Sequence, residues 1–382
     1  MVNHIKRHVL AKNFLVGGVS FFHIRCCEHI VNLIVQAGLN SLASILNCIC
    51  NMVKCIDRSP VKRKKFFDVA KKNFKLQTNK KFRLDMPVRW NSTYLLIDCV
   101  LYYKDVFIYF GERDFAMKSL APQVEDWDKL AYVHKFLKVS YDVTNLFSVS
   151  KYPTSNCYVL GVWKLQIALM DMAKGPTYFV EFSNMVHDMQ AKFDKYWSEY
   201  NLALSCTAIL NSRYKVTFLK YCFVMIYGSE GVGDQVEKVI STLRILFKEY
   251  MHVSFTGSCE NIGLSTSCSG GYFTSDDNQV ELDDWERFVT QETTHIQMGK
   301  SELDLYLGEP YHPRNEDLDI LDYWFKTSAR YPTLPLMARD LLTIPISIVA
   351  SESAFSIGGK TITLITSSLK PKTVQALICL RD

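Results

Sequence analysis

Residues 28–56 read EHIVNLIVQAGLNSLASILNCICNMVKCI. Apolar side chains fall at Ile30, Leu33, Ile34 and Ala37, then at Leu42, Ile45, Leu46, Ile49 and Val53. Steps of three and four residues lay such positions along one stripe of an α-helix. The stretch therefore predicts two amphipathic helices, with Gly38 at a kink or at a break between them. Upstream, residues 14–24 alternate Phe, Leu, Val and Ile with the pair Gly17-Gly18, and read as a strand or a turn and strand. Downstream, residues 93–110, 126–150, 158–173 and 178–200 read as aromatic-rich amphipathic helices. A run of helices without intervening strands predicts an all-α lobe.

The C-terminal third is less regular. Residues 228–233 form a loop and a helix follows over 234–251. Residues 254–275 are rich in Ser, Gly and Thr and read as a flexible linker or insert. Helices are expected at 318–325 and 334–343, with Pro345 breaking the chain and further helices from Ser347 and over the tail to Leu380.

Composition narrows the class. The chain has 382 residues, 48% hydrophobic and 22% charged, with 23 Phe, 20 Tyr and 6 Trp, which suits two or three packed lobes and excludes whole-chain disorder. No stretch of about 18 apolar residues runs free of charged or polar breaks, so no membrane partner is expected. Twelve Cys are spread too thinly for a disulfide framework and include no CxxC pair, so reduced thiols and no structural zinc are expected. Residues 228–233 lack the GK[ST] ending of a phosphate-binding loop, and no GxSxG elbow occurs.

Charge is strongly uneven. Residues 1–90 carry 17 Lys/Arg against 4 Asp/Glu, a net +13, while the remaining 292 carry 27 against 35, a net −8. The densest basic run includes Arg58, Lys62, Arg63, Lys64, Lys65, Lys71, Lys72, Lys75, Lys80, Lys81, Arg83 and Arg89. Clustered cations suit a polyanion, since each neutralised phosphate releases counterions. The same run also reads as a solvated helix face or a nuclear-import signal at Lys62, Arg63, Lys64 and Lys65. Residues 276–322 are the opposite, with 14 acids against 3 bases.

Four islands in order resemble the hAT superfamily of transposases, in particular its plant BED-finger, RICESLEEPER-like branch. Residues 21–36, FFHIRCCEHIVNLIVQ, resemble the CxxH segment, with Cys26 and His29 as its motif residues. Residues 85–94, DMPVRWNSTY, resemble the RWNST segment. Residues 301–307, SELDLYL, followed by LDYW at 321–324, form the third, and residues 344–360, IPISIVASESAFSIGGK, resemble the C-terminal dimerisation segment. The resemblance implies an α+β, predominantly α fold: a partial RNase H-like core interrupted by a large all-α insertion. On that expectation residues 1–85 are the N-terminal part of the core with the basic segment. Residues 86–253 are the helical insertion, 254–300 the linker and acidic segment, and 301–382 the dimerisation region.

The family's chemistry is two-metal phosphodiester transfer on three carboxylates. By resemblance, Glu352 is the third acid and the other two are aspartates upstream of the CxxH segment. Residues 1–25 contain no Asp or Glu, and no Cys/His set has the spacing of a BED finger. The chain is therefore expected to be no enzyme, with Glu352 vestigial or simply an acid favoured in the first turn of a helix, and no cofactor. Mg2+ or Mn2+ enters only for a longer, active form whose upstream part is not in this sequence.

Arg25 could reach a phosphate. Cys26 and His29, three apart, share a helix face; they shape the core by resemblance, or are a buried thiol and a core imidazole. Arg89 and Trp90 suit guanidinium–backbone contact and stacking on an unpaired base, though Trp90 also reads as a core residue opening a helix. The insertion run Asn211-Ser212-Arg213-Tyr214-Lys215 departs from the family's Asp-Pro-Arg-Tyr-Lys. Apolar runs that include Leu341, Ile346, Phe355 and Leu377 suit homodimerisation, or the core of a C-terminal lobe. The expected function is a nuclear, non-catalytic, DNA-binding and dimerising protein derived from a transposase. The alternatives are a fragment of an active transposase and a protein-interaction scaffold that never touches DNA.

Overall fold

The computed structural model describes residues 24–77, 80–83, 85, 90–149, 152–175, 180–198, 201–260, 300–313, 318–347, 370 and 372–373. The expected strand at 14–24 and the tail helices therefore lie almost wholly outside the described residues. Within them the chain is helical and contains no strand, so the predominance of α structure holds. Two compact units form: one from Ile24–Asn201, Cys222–Ser229 and Pro345–Asp382, the other including Leu202–Tyr221 and Glu230–Ile344.

The first unit begins with α1 (Cys27–Leu39), a 3-10 turn over Asn40–Leu42, and α2 (Ala43–Asp57). Most of the helical stripe read from sequence is buried: Ile30, Ile34, Leu42, Ile45, Ile49 and Val53 are all at most 6% exposed. Leu33, Ala37 and Leu46 are only half-buried, and Val31, Val35 and Leu39 take the inner side of α1 with Ile30 and Ile34. The break falls at the 3-10 turn, not at Gly38. Gly38 lies within α1, and a Cβ there would meet Met189 Sδ at 2.4 Å, so its role is close approach. Residues 27–57 are apolar and long enough to cross a membrane by length and composition alone; here they are two helices whose apolar stripe packs into protein.

Next come α3 (Pro60–Lys72), α4 (Trp90–Tyr102), α5 (Lys104–Arg113) and the single turn α6 (Phe115–Lys118). The stretch 93–110, expected as one helix, is two helices divided at Tyr103. The unit is completed by α7 (Val124–Phe147), α8 (Tyr158–Ala173) and α9 (Val180–Trp197). α7 starts where Asp126 reaches back to accept the Gln123 N–H at 3.0 Å. Its stripe Leu130, Val133, Leu137, Val143 and Phe147 is buried. α1 packs on α7 and α9, and α7 on α4 and α8. At Gly161 of α8 a Cβ would lie 2.2 Å from Phe147 Cζ, so the absence of a side chain sets how closely α7 and α8 approach.

The second unit is built around α10 (Leu202–Ile209), buried along its length from Ala203. A helix apolar on every side belongs in a core. It is surrounded by α12 (Val232–Glu260) and α15 (Leu334–Leu342), with α13 (Glu302–Gly308) and α14 (Ile320–Lys326) alongside. α11 (Lys215–Tyr227) follows α10 in sequence. The last carbonyls of α10 need partners. Tyr306 Oη donates to Ile209 O at 2.9 Å and Trp324 Nε1 to Leu210 O at 3.1 Å. Lys215, 3% exposed, donates from Nζ to Tyr306 O at 2.6 Å and Glu309 O at 3.0 Å, so it closes the end of α13.

Candidate nucleic-acid interface

α3 is the basic helix. Ser59 caps it, its hydroxyl accepting the Lys62 N–H at 3.4 Å, and Pro60 opens it, where a missing N–H costs nothing. Phe66 and Ala70, fully buried, fix its inner side. Phe66 meets Phe107 and Phe110 of α5 and Tyr103 at ring centroid distances of 5.0, 5.5 and 5.6 Å. With that side inward, Lys64, Lys65, Asp68, Lys71 and Lys72 face solvent. The four lysines make no ion pair among the described residues, and Asp68 is the one acid between them.

The first turn of α3 is differently engaged. Lys62 Nζ lies 3.4 Å from Cys55 Sγ and 3.6 Å from Asp114. The thiol contact foremost, then Asp114, raises its pKa and holds the ammonium charged. Arg63 pairs with Asp57 at 3.5 Å, and Lys65 lies over the Phe110 ring at 6.0 Å.

The chain beyond α3 is tied to α4. Tyr102 and Tyr103 donate to Gln77 O and Lys80 O at 3.0 and 3.1 Å, and Lys80 Nζ meets Asp98 at 2.7 Å. His134 Nε2 is 3.1 Å from the other Asp98 oxygen. Asp98 is a positioning residue that sequence reasoning missed; nothing local marks it, because its partners are 18 and 36 residues away. The RWNST island also acquires a structural role. Asp85 accepts the Ser92 and Thr93 hydroxyls at 3.0 and 2.7 Å, which clasps the first turn of α4.

The remaining predicted residues are dispersed. Arg25 is exposed, its guanidinium 5.4 Å from the Tyr196 ring centroid, and no described hydrogen bond or ion pair joins it to α3. Cys26 is half-buried just before α1, and His29 is exposed, so the core-imidazole reading of His29 is corrected. The buried thiol here is Cys27, whose pKa burial drives well up. Among the described residues no three His, Cys, Asp or Glu side chains are grouped to hold a metal. Trp90 is 3% exposed, a core residue at the start of α4. Leu341 and Ile346, expected at a dimer interface, are 7% and 0% exposed and pack inside one chain. Arg89, Glu352, Phe355 and Leu377 lie outside the described residues.

Glu28, the first acid of the chain, joins sequence-distant segments of the first unit. It accepts the Ser148 and Ser347 hydroxyls at 3.3 and 2.8 Å, beside the Cys27 N–H to Ile346 O bond at 2.8 Å. Its partners lie 120 and 319 residues away, so no local pattern announces it.

Residues 302–382 match the hAT family C-terminal dimerisation region. Residues 24–136 match the ZBED1 RNase-like helical domain, and residues 156–250 the hAT-like transposase, RNase-H fold. The chain is 32% identical over 388 residues to zinc finger BED domain-containing protein RICESLEEPER 2 of Oryza sativa subsp. japonica, covering 99% of this chain and 53% of that protein. It is 33% identical over 396 residues to RICESLEEPER 1 of the same plant, again covering 99% and 53%. To DAYSLEEPER of Arabidopsis thaliana it is 32% identical over 316 residues, 83% of this chain and 43% of that protein. The chain thus spans about half the length of the curated relatives it matches.

Proposed function

This chain belongs to the hAT family of transposase-derived proteins, and on that premise we propose that these residues act as a non-catalytic, DNA-binding, self-associating module of the nucleus. The observation that carries DNA contact is the outer face of α3, where Lys64, Lys65, Lys71 and Lys72 stand unpaired among the described residues with only Asp68 between them. A face of that kind tracks phosphates without reading bases, so affinity is salt-dependent and weakly sequence-selective. Self-association rests on the match of residues 302–382 to the dimerisation region. With Leu341 and Ile346 committed to the core of one chain, the contact between copies falls to other residues of that region.

The non-catalytic part rests on the acids these residues supply. Residues 1–25 contribute no carboxylate, and Glu352 alone cannot hold two metal ions. A second reading takes the same residues as the C-terminal part of a longer strand-transferring protein; it is favoured by their covering about half of each relative. Metal-dependent strand transfer by a longer polypeptide, with none by this one, would distinguish that reading.

The test is fluorescence anisotropy with duplex DNA across a salt series, on the chain and on a variant with Lys64, Lys65, Lys71 and Lys72 all changed to Gln. Each lost phosphate contact flattens the log Kd against log salt slope by about 0.9, so a drop of about three to four is expected. Equal slope and equal affinity in the variant refute DNA binding by α3. Absence of binding in both proteins leaves the scaffold reading.

A further inference from the structure

Phe115 is 94% exposed, more than any other large apolar side chain among the described residues. Its outward position is fixed by its neighbours. The Asp114 carboxylate caps α6 by accepting the Ala116 N–H at 2.9 Å. Met117, 1% exposed, anchors the turn in the core. At about 100° per helical residue, Phe115 lies about 200° round the turn from Met117, on the outer side.

This ring stands at the basic edge of the unit. Asp114, its chain neighbour, pairs with Lys62 of α3 at 3.6 Å. Of the cations around that junction, three are matched: Lys62 by Asp114, Arg63 by Asp57 and Arg113 by Glu112. Lys64, Lys65 and Lys118 are exposed and make no ion pair among the described residues. Lys118, three residues on, shares the side of the turn that carries Phe115, and Lys65, three residues from Lys62, shares the side of α3 that meets Asp114 and reaches the Phe110 ring. The edge therefore offers one uncovered aromatic face with unneutralised cations on the two elements that meet there.

We propose that this edge binds a nucleic-acid strand with unpaired bases, Phe115 serving as the stacking platform and Lys65 and Lys118 meeting the phosphates. The proposal rests on the reading of α3 as a DNA-contacting helix and adds the form of DNA it takes. The physical argument is one of complementarity. In a duplex the base faces are already stacked, so an exposed ring gains nothing from it; an unpaired base offers a free face, and every base has one. Trp90, the aromatic that the sequence suggested for this task, is packed in the core. A lipid surface fits less well: α3 turns Phe66 and Ala70 inward and shows lysines outward, so Val61 and Phe115 stand out singly and, among the described residues of this edge, no continuous apolar face exists to enter a bilayer.

The experiment measures anisotropy of the full chain with an oligothymidylate, with a fully paired duplex, and with a duplex carrying a central unpaired bulge. Vesicles of phosphatidylcholine and phosphatidylserine form a fourth arm. Base–aromatic stacking contributes about 1–3 kcal/mol, so Phe115→Ala is expected to weaken oligothymidylate and bulge binding about tenfold and duplex binding less than about twofold. Phe115→Trp should retain affinity, with its indole emission quenched on binding the single strand. Phe325→Ala, which removes a 77% exposed ring elsewhere in the chain, should change nothing. Because Phe115 is exposed, its removal leaves the core intact. If Lys64→Gln with Lys65→Gln weakens every DNA form while Phe115→Ala weakens none, the stacking role is overturned and α3 binding survives. If the lysine changes are silent on all DNA, the α3 reading itself fails. A Phe115-dependent affinity for vesicles and not for oligothymidylate also overturns the proposal.

Discussion

Replacing Trp90 by Leu separates the two roles its motif suggests. The indole is 3% exposed. A buried Trp withdraws about 150–250 Å² from water, which at about 25 cal/mol per Å² is an upper bound of about 4–6 kcal/mol. Trp→Ala changes in cores cost about 3–5 kcal/mol, and Leu refills part of the volume, so a loss of about 2–3 kcal/mol is expected. A helical unit worth about 5–15 kcal/mol remains folded after that loss. The assay is urea unfolding followed by far-UV circular dichroism, beside DNA anisotropy without denaturant. With a urea slope of about 2–3 kcal/mol per M, the midpoint falls by about 1 M, while affinity for paired and unpaired DNA stays within about twofold. An unchanged midpoint together with a tenfold or greater loss of affinity would falsify the core assignment and return Trp90 to the DNA.

Two further outcomes follow from buried polar chemistry. Lys215→Met leaves Tyr306 O and Glu309 O without their ammonium donor; unfolding free energy should fall by about 1–3 kcal/mol, and an unaltered denaturation midpoint refutes the strut role. Burial pushes the thiols of Cys99 and Cys157 up to about 11 and those of Cys206 and Cys222 up to about 12, from an ordinary value of 9.0. A raised folded pKa means stability is complete below pH 9 and is lost as pH rises toward the folded values, because only the unfolded thiols ionise there. Each contributes a decline of about 1.4 kcal/mol per pH unit in that window. Urea midpoints between about pH 8 and pH 10.5 should fall, and Cys206→Ala should remove one thiol's share of the slope; a midpoint that climbs with pH, or a slope indifferent to Cys206, contradicts the burial argument.

Much of the helical framework was legible because its signal is local. The three- and four-residue spacing of Ile30, Ile34, Ile45 and Ile49 depends only on which side of a helix turns inward, and those are found buried, while Leu33, Ala37 and Leu46 at the margin of the same stripe are half-buried. The same locality explains why 158–173 was read to the residue, and why the basic character of α3 could be seen before its inner side was known. Breaks were read less well. Gly38 carries a helix-breaker's propensity of about 1 kcal/mol, which the packing of α1 on α9 outweighs, whereas the division at Tyr103 depends on where Phe66, Phe107 and Phe110 must converge.

The sequence by itself determined that the chain is mainly helical, that its positive charge is concentrated before residue 90, and which family its motifs resemble, since composition, periodicity and motif order are properties of the string. Only tertiary packing decided which motif side chains are available. It placed the ring of Trp90, Leu341 and Ile346 in cores, joined Glu28 to serines 120 and 319 residues away, and left Phe115 in water beside the lysines of α3. The physical reason is that exposure is a property of what folds over a side chain, and the covering residues lie far away along the chain.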